Sequence, residues 1–166
     1  MRCFNCGSEM ECKTESYQYK ESGLDNIVLE GIEVHRCDCG EQIVSIPAIP
    51  ELHALLGEMV IKKKTMLNGK EIRFLRKNMG FTAKKLSALM KVGNEIISRW
   101  EHGSRHISEP NDRLLRLLYM AIKEIPHADM KVQEQFPEIL GTHKDSLPMS
   151  LSIAMWAKNS EACHHA

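Results

Sequence analysis

Four of the six cysteines stand in two close pairs, Cys3-Phe4-Asn5-Cys6 and Cys37-Asp38-Cys39, and a glycine follows each pair, Gly7 and Gly40. Two thiolates on a tight turn are good metal ligands, and the glycine relaxes the backbone so that both sulfurs face one point. Two such turns, separated by 30 residues, make a tetrahedral four-sulfur site of the kind that holds zinc. A site closed by four protein ligands has no open position for water, so the expected metal is structural, one zinc per chain. The second pair is one residue shorter than the usual knuckle, and His35 is close enough to replace one of its thiolates. Two pairs of buried free thiols or a redox dithiol are the other readings; four thiols together count against the dithiol. Cys12 and Cys163 stand alone and read as ordinary free cysteines.

A second constellation spans Phe81–Gly103. Its spacing is that of a helix-turn-helix: a short helix, the turn Lys91-Val92-Gly93, and a recognition helix from Asn94 to Glu101. Leu86, Met90, Val92 and Ile97 fall where the two helices must meet. A recognition helix enters the DNA major groove, and residues near its N-terminus reach base edges. Here these are Asn94, Glu95, Ser98 and Arg99. Arginine pairs with guanine, asparagine with adenine, and a glutamate accepts from cytosine. Thr82, Lys84 and Lys85 open the preceding helix, where backbone amides, the helix dipole and ammonium groups favour phosphate. Arg73, Arg76, Lys77 and Arg105 are further candidate phosphate contacts. Trp100 reads as core, and Glu101 as the acceptor of a hydrogen bond within the domain. A helical bundle without a nucleic-acid partner is the plain alternative. Charge favours DNA, because between Lys62 and Arg105 there are 12 basic and 3 acidic residues, a net of +9.

The rest of the chain must position these two sites. With 166 residues it makes one large domain or two small ones. Its zero net charge conceals a division: residues 1–50 carry 4 basic and 9 acidic side chains, a net of −5, whereas residues 51–125 carry 15 and 8, a net of +7. Between the cysteine pairs, Tyr17, Tyr19, Ile27, Leu29, Ile32 and Val34 alternate with polar residues and turn breaks. This predicts a small antiparallel sheet with strands near 15–21, 26–30, 32–37 and 41–46. Pro47 and Pro50 end it. Leu52, Leu55, Leu56, Met59 and Val60 then follow helical spacing in a linking helix within 49–66. Asn68 with Glu71 reads as a capping box opening the next helix. Leu86, Leu89 and Met90 line one face of the first helix-turn-helix helix. Ser108 caps a last helix with Pro110 in its first turn, and Leu114, Leu115, Leu117, Leu118 and Ile122 give it a broad apolar face. The expected class is α+β, with domains at 1–48 and 67–125 joined by the linking helix. In the extension 126–166, Phe136, Ile139 and Leu140 are candidates to pack back on the body. Leu151, Ile153, Met155 and Trp156 read as one more short helix or as part of a partly disordered tail.

Taken together, the knuckle pair, hairpin, linking helix and helix-turn-helix resemble the MqsA family of antitoxins, also called YgiT-type zinc finger proteins. Ile97-Ser98-Arg99-Trp100-Glu101-His102-Gly103 and Leu67-Asn68-Gly69-Lys70-Glu71-Ile72-Arg73-Phe74-Leu75-Arg76-Lys77 are similar to the corresponding helices of the wider Xre/Cro family. The resemblance covers residues 1 to about 122. It implies a zinc domain that neutralises a toxin and a helical domain that dimerises and represses its own operon at a palindrome. Carried over by position, Cys3, Cys6, Cys37 and Cys39 are the zinc ligands and Arg99 is the base-reading arginine. The chain departs from the family pattern at the short second knuckle, at Glu95 where an asparagine usually stands, and at Lys91 where the Xre turn has glycine.

The expected function is that of a cytoplasmic DNA-binding antitoxin and autorepressor. Its partners would be a small basic toxin, a palindromic duplex operator and a second copy of the chain. The alternative is a zinc-containing helix-turn-helix regulator with no toxin. The sequence contains no nucleophile–base motif or phosphate loop to suggest an enzyme, no apolar run long enough to cross a membrane and no apolar signal at its N-terminus.

Overall fold

A computed structural model of the chain describes residues 1–124 and 149–157. Three strands, β1 (Glu11–Gln18), β2 (Ile27–Arg36) and β3 (Gln42–Ser45), precede five helices, α1 (Ile49–Lys62), α2 (Gly69–Asn78), α3 (Ala83–Met90), α4 (Asn94–Glu101) and α5 (Glu109–Lys123). A fourth strand, β4 (Met149–Ser152), follows. The architecture is α+β and divides into two compact units, one built on the sheet up to Leu52 together with the described tail, the other on the helices from His53 onward.

In the sheet unit, β2 is central. It pairs antiparallel with β1 along one edge, from Glu11↔Arg36 to Gln18↔Val28. Its other edge is shared end to end: β3 covers Glu33–Arg36 antiparallel, and β4 covers Ile27–Glu30 parallel. The two strands expected at 26–30 and 32–37 are therefore one. Gly31 does not break the strand but bulges it, at φ +76°. Between the pairs Glu15↔Ile32 and Tyr17↔Leu29, β2 carries one residue more than β1. That extra residue resets the two-residue side-chain period. As a result Ile27 and Leu29 before the bulge and Ile32 and Val34 after it are all buried. β1 starts at Glu11, earlier than expected, and gives way after Gln18 to a 3-10 turn over Lys20–Ser22.

In the helical unit the caps expected at Asn68 and Thr82 form, whereas Ser108 stands at the N-cap position of α5 without a side-chain cap hydrogen bond. Asn68 and Glu71 make the reciprocal capping box of α2, and the Thr82 hydroxyl accepts from the Lys85 amide at 3.1 Å. Ile72, Leu75, Leu86, Ile97 and Leu115 are fully buried between the helices. The apolar faces are narrower than expected. Leu89 on α3 and Leu114, Leu117 and Ile122 on α5 are exposed, because α5 presents Leu115, Tyr119 and Met120 inward. A buried ion pair ties α5 to the chain between α1 and α2. Arg116 donates to Asp112 at 2.7 Å and to the carbonyls of Ile61, Lys63 and Thr65 at 2.7–2.8 Å, while Asp112 accepts from the Leu67 amide at 2.7 Å.

The tail differs from the short helix expected over Leu151–Trp156. It is a strand followed by one 3-10 turn, Ile153–Met155. Phe136, Ile139, Leu140 and Cys163 lie outside the described residues.

Candidate metal centre and nucleic-acid interface

Each knuckle is held by its own backbone. In the first, Cys3 donates its amide to Ser8 and Gly7 donates back to Cys3; in the second, Cys37 donates to Glu41 and Gly40 donates to Cys37, all at 2.8–2.9 Å. Gly7 and Gly40 both adopt positive φ, the conformation that returns the chain under its two sulfurs. The shorter second turn closes in the same way as the first.

The two turns bring Cys3, Cys6, Cys37 and Cys39 together, with all four sulfurs within 4.8 Å of one another. Cys3 lies 3.6 Å from Cys39 and Cys6 lies 3.3 Å from Cys37. Tetrahedral zinc with bonds of about 2.3 Å requires sulfurs about 3.8 Å apart, so the donor set suits the ion in number, type and spacing. The neighbouring thiols stand in different protonation states. Hydrogen bonds from the Ser8 side chain and backbone hold the Cys6 thiol down at about 6. Cys37 is lowered by a backbone hydrogen bond at Cys39, but contact with Cys6 and burial outweigh this and push it up to about 12. Adjacent sulfurs cannot all ionise unless a cation lies among them, and a divalent metal is such a cation. Met10 and the partly buried Ile43 pack around Cys3 and Cys37 and keep one side of the cluster dry.

His35 does not join this cluster. It lies opposite Cys12 in the β1–β2 ladder, with Nε2 3.8 Å from the Cys12 sulfur, in a separate group with Glu33. Cys12 is not the free thiol expected; it is disulfide-bonded.

In the helical unit, α3, the turn and α4 have the expected helix-turn-helix spacing. The turn is made at Lys91, whose backbone is left-handed at φ 54°, ψ 39°. Ile97 and Trp100 are buried on one side of α4, and Asn94, Glu95, Ser98 and Arg99 are exposed on the other. Glu95 folds back over its own helix start: a β-carbon on Gly93 would lie 2.2 Å from its carboxylate. The positive end of the helix dipole favours a carboxylate there. Ser98 sits 3.4 Å from Nδ1 of His102. Lys84, Lys85, Arg73 and Arg105 are exposed, as is Thr82 at the start of α3, and the Lys85 ammonium lies 4.2 Å over the Phe81 ring. Arg76 is not available for phosphate. Each of its three guanidinium nitrogens donates inward, to the Glu101 carboxylate or the Phe81 carbonyl. Glu101 is the internal acceptor expected of it.

The sequence model of one family, described as the antitoxin component of a bacterial toxin-antitoxin system, MqsA, matches residues 1–125. The chain belongs to the MqsA antitoxin family. The MqsA match takes in the four-cysteine cluster and all five helices, and it stops before β4. The comparison with curated proteins finds no match.

Two features of these units escaped sequence reasoning. The Asp112–Arg116 pair left no mark beyond the i,i+4 spacing of two opposite charges. β4 did leave one: Met149 and Leu151 alternate with Ser150 and Ser152, which is the strand period. Among the described residues no helix is long and apolar enough to cross a membrane.

Proposed function

We propose that this chain is a zinc-dependent antitoxin that represses its own operon. The observation that carries the reading is the family match over residues 1–125, spanning the four-sulfur cluster and the helix-turn-helix together. It acts as a regulator rather than an enzyme, in the cytoplasm, where its DNA and toxin partners are found. Zinc at Cys3, Cys6, Cys37 and Cys39 fixes the two knuckles and with them the small sheet, whose unit has too little apolar surface to fold well alone. The acidic N-terminal part, net −5 over residues 1–50, is complementary to the basic surface a ribonuclease-like toxin needs to hold RNA. Opposite fields speed such an encounter and select the partner.

On DNA, α4 lies in the major groove. Arg99 reads a guanine, and Asn94 and Ser98 reach neighbouring edges, with Glu95 beside them at the helix start. Thr82, Lys84, Lys85, Arg73 and Arg105 contact phosphates and fix the register. One such unit reads a half-site, so the active species is a dimer on a palindrome. The exposed leucines Leu114 and Leu117, on one side of α5, are the surface we assign to that contact.

The test is operator binding. Arg99→Ala in the full chain is expected to weaken binding by about 1–3 kcal/mol and to relax preference at one base pair. Unchanged affinity would overturn the recognition assignment. Co-expression with the neighbouring reading frame tests the antitoxin role: the full chain is expected to restore growth, and failure to do so leaves a DNA-binding regulator without a toxin.

A further inference from the structure

β2 has one edge that two different parts of the chain divide between them. β3, adjacent in sequence, takes the half from Glu33 to Arg36. β4 takes the half from Ile27 to Glu30, pairing parallel through Ile27↔Met149, Val28↔Ser150, Leu29↔Leu151 and Glu30↔Ser152. β3 and β4 thus lie on either side of the Gly31 bulge along this edge. A β-carbon on Gly31 would be in ordinary van der Waals contact with the end of the Ile153 side chain, 3.7 Å away.

The seat of β4 resembles a peptide-binding site. Leu151 is fully buried on the Ile27 and Leu29 floor, while Ser150 and Ser152 on either side of it are exposed. Ser150 hydrogen-bonds Glu30, and the Met149 amide donates to the Asn26 carbonyl at 2.7 Å. Five residues beyond Leu151, Trp156 is buried and its indole N–H donates to the Pro47 carbonyl at 3.0 Å, next to the end of β3. Backbone pairing, one apolar pocket and one indole clasp are the components of recognition by strand addition. The family match ends at residue 125, so this segment lies outside the matched part.

We infer that the β2 edge over Ile27–Glu30 is a strand-binding site whose resident ligand is this chain's own segment Met149–Ala157, held exchangeably. It takes an extended segment parallel to β2, with an apolar residue at the Leu151 position, small polar neighbours and an indole five residues on. A four-residue parallel ladder is a weak anchor. Occupancy is maintained by tethering, which keeps the segment at high effective concentration. Any partner that adds a strand to this edge must compete with it, so the tail sets the threshold for such a partner. The inference stands on the sheet alone and does not depend on the toxin reading.

The experiment uses full-length protein with zinc in reducing buffer and a labelled peptide with the sequence of residues 149–157. The double variant Leu151→Asp/Trp156→Ala unseats the internal strand. The peptide is expected to bind this variant at least about tenfold more tightly than the wild type, whose site is occupied. The same peptide carrying Leu151→Asp is expected not to bind. Equal binding to variant and wild type, or no binding to a variant that retains its zinc, overturns the inference. Loss of zinc by the variant also overturns it, because β4 is then an integral part of the sheet unit rather than an occupant. As a check that needs no variant, excess peptide added to the wild type should speed amide exchange in Leu151 and Ser152 while Ile27–Glu30 stay protected.

Discussion

Arg76 on α2 and Glu101 at the end of α4 form a two-pronged ion pair, Nε to Oε1 at 2.5 Å and Nη2 to Oε2 at 2.8 Å, and the third donor of the arginine reaches the Phe81 carbonyl at 2.8 Å. Both side chains are largely buried. Beside this pair, Gly69 brings the start of α2 against the end of α4 so closely that a β-carbon there would lie 2.4 Å from the Trp100 carbonyl. The ion pair and the close packing clamp the recognition helix at its C-terminal end. Arg76→Ala is expected to lower the unfolding free energy of the helical unit by roughly 1.5–3 kcal/mol, since it leaves a nearly buried carboxylate unpaired. It should also weaken DNA binding although Arg76 faces inward. Denaturant unfolding of Arg76→Ala, Glu101→Gln and the double variant measures the coupling; strictly additive effects would contradict the clamp.

The helix-turn-helix turns on Lys91 in a left-handed conformation. A residue with a β-carbon is disfavoured there by about 1–2 kcal/mol, whereas glycine is not. Lys91→Gly is therefore expected to stabilise the helical unit by roughly 1 kcal/mol, part of the gain being offset by the greater freedom of glycine in the unfolded chain. A lower midpoint in thermal unfolding would show that Lys91 makes a compensating contact.

His53 on α1 is held below its ordinary value, first by burial and then by the charge of Lys123, with the Phe74 ring edge-on at 5.8 Å. The folded chain keeps this imidazole neutral at a pH where the unfolded chain takes up a proton. The stability it contributes is complete above the ordinary imidazole pKa of about 6.5, and it is lost as pH falls through the lower folded value. Acidification from pH 7 should weaken the helical unit, and His53→Gln should weaken less over the same range. In NMR titration the ring should titrate below the free imidazole, and Lys123→Gln should move it upward. A ring titrating at or above the free value would refute this account.

Chelation should act on one unit only. Metal binding supplies folding free energy to the part that holds the ligands. Removing zinc is expected to abolish amide protection in β1–β3 and leave α2–α5 helical by circular dichroism. Elemental analysis of reduced protein should give one zinc per chain, and Cys39→Ser should lose it. Retention of normal zinc by Cys39→Ser would bring His35 back as a ligand.

Lys84 and Lys85 are exposed at the start of α3. If each neutralises one phosphate, Lys84→Ala and Lys85→Ala should each reduce the slope of log affinity against log salt by about 0.9 and weaken all sequences alike. Sequence-selective loss would place them at base edges instead.

The parts of this protein legible in its sequence are those governed by short-range rules. The spacing of Cys3 and Cys6, and of Cys37 and Cys39, specified knuckles because a thiolate pair and a following glycine need only a tight turn to converge. Asn68 with Glu71, and Thr82, specified helix starts because capping is satisfied within one turn. Even the choice of Glu101 as an internal acceptor followed from its place at the end of a recognition helix.

Tertiary structure decided what depends on contacts distant in the chain. Gly31 reads locally as a break, yet it is a bulge, because both Ile27/Leu29 and Ile32/Val34 are buried and only an extra residue puts them on one side. Arg76 looks like a surface cation until Glu101, 25 residues away, is brought beside it. Leu114 and Leu117 read as core by period, but the number of apolar side chains α5 can bury is set by how many helices pack on it. Leu151 and Trp156 suggest a helix on spacing alone. They became a strand and a clasp because β2 offers half an edge of unpaired backbone, and an unpaired donor or acceptor at a buried edge costs more free energy than any local preference of four residues supplies.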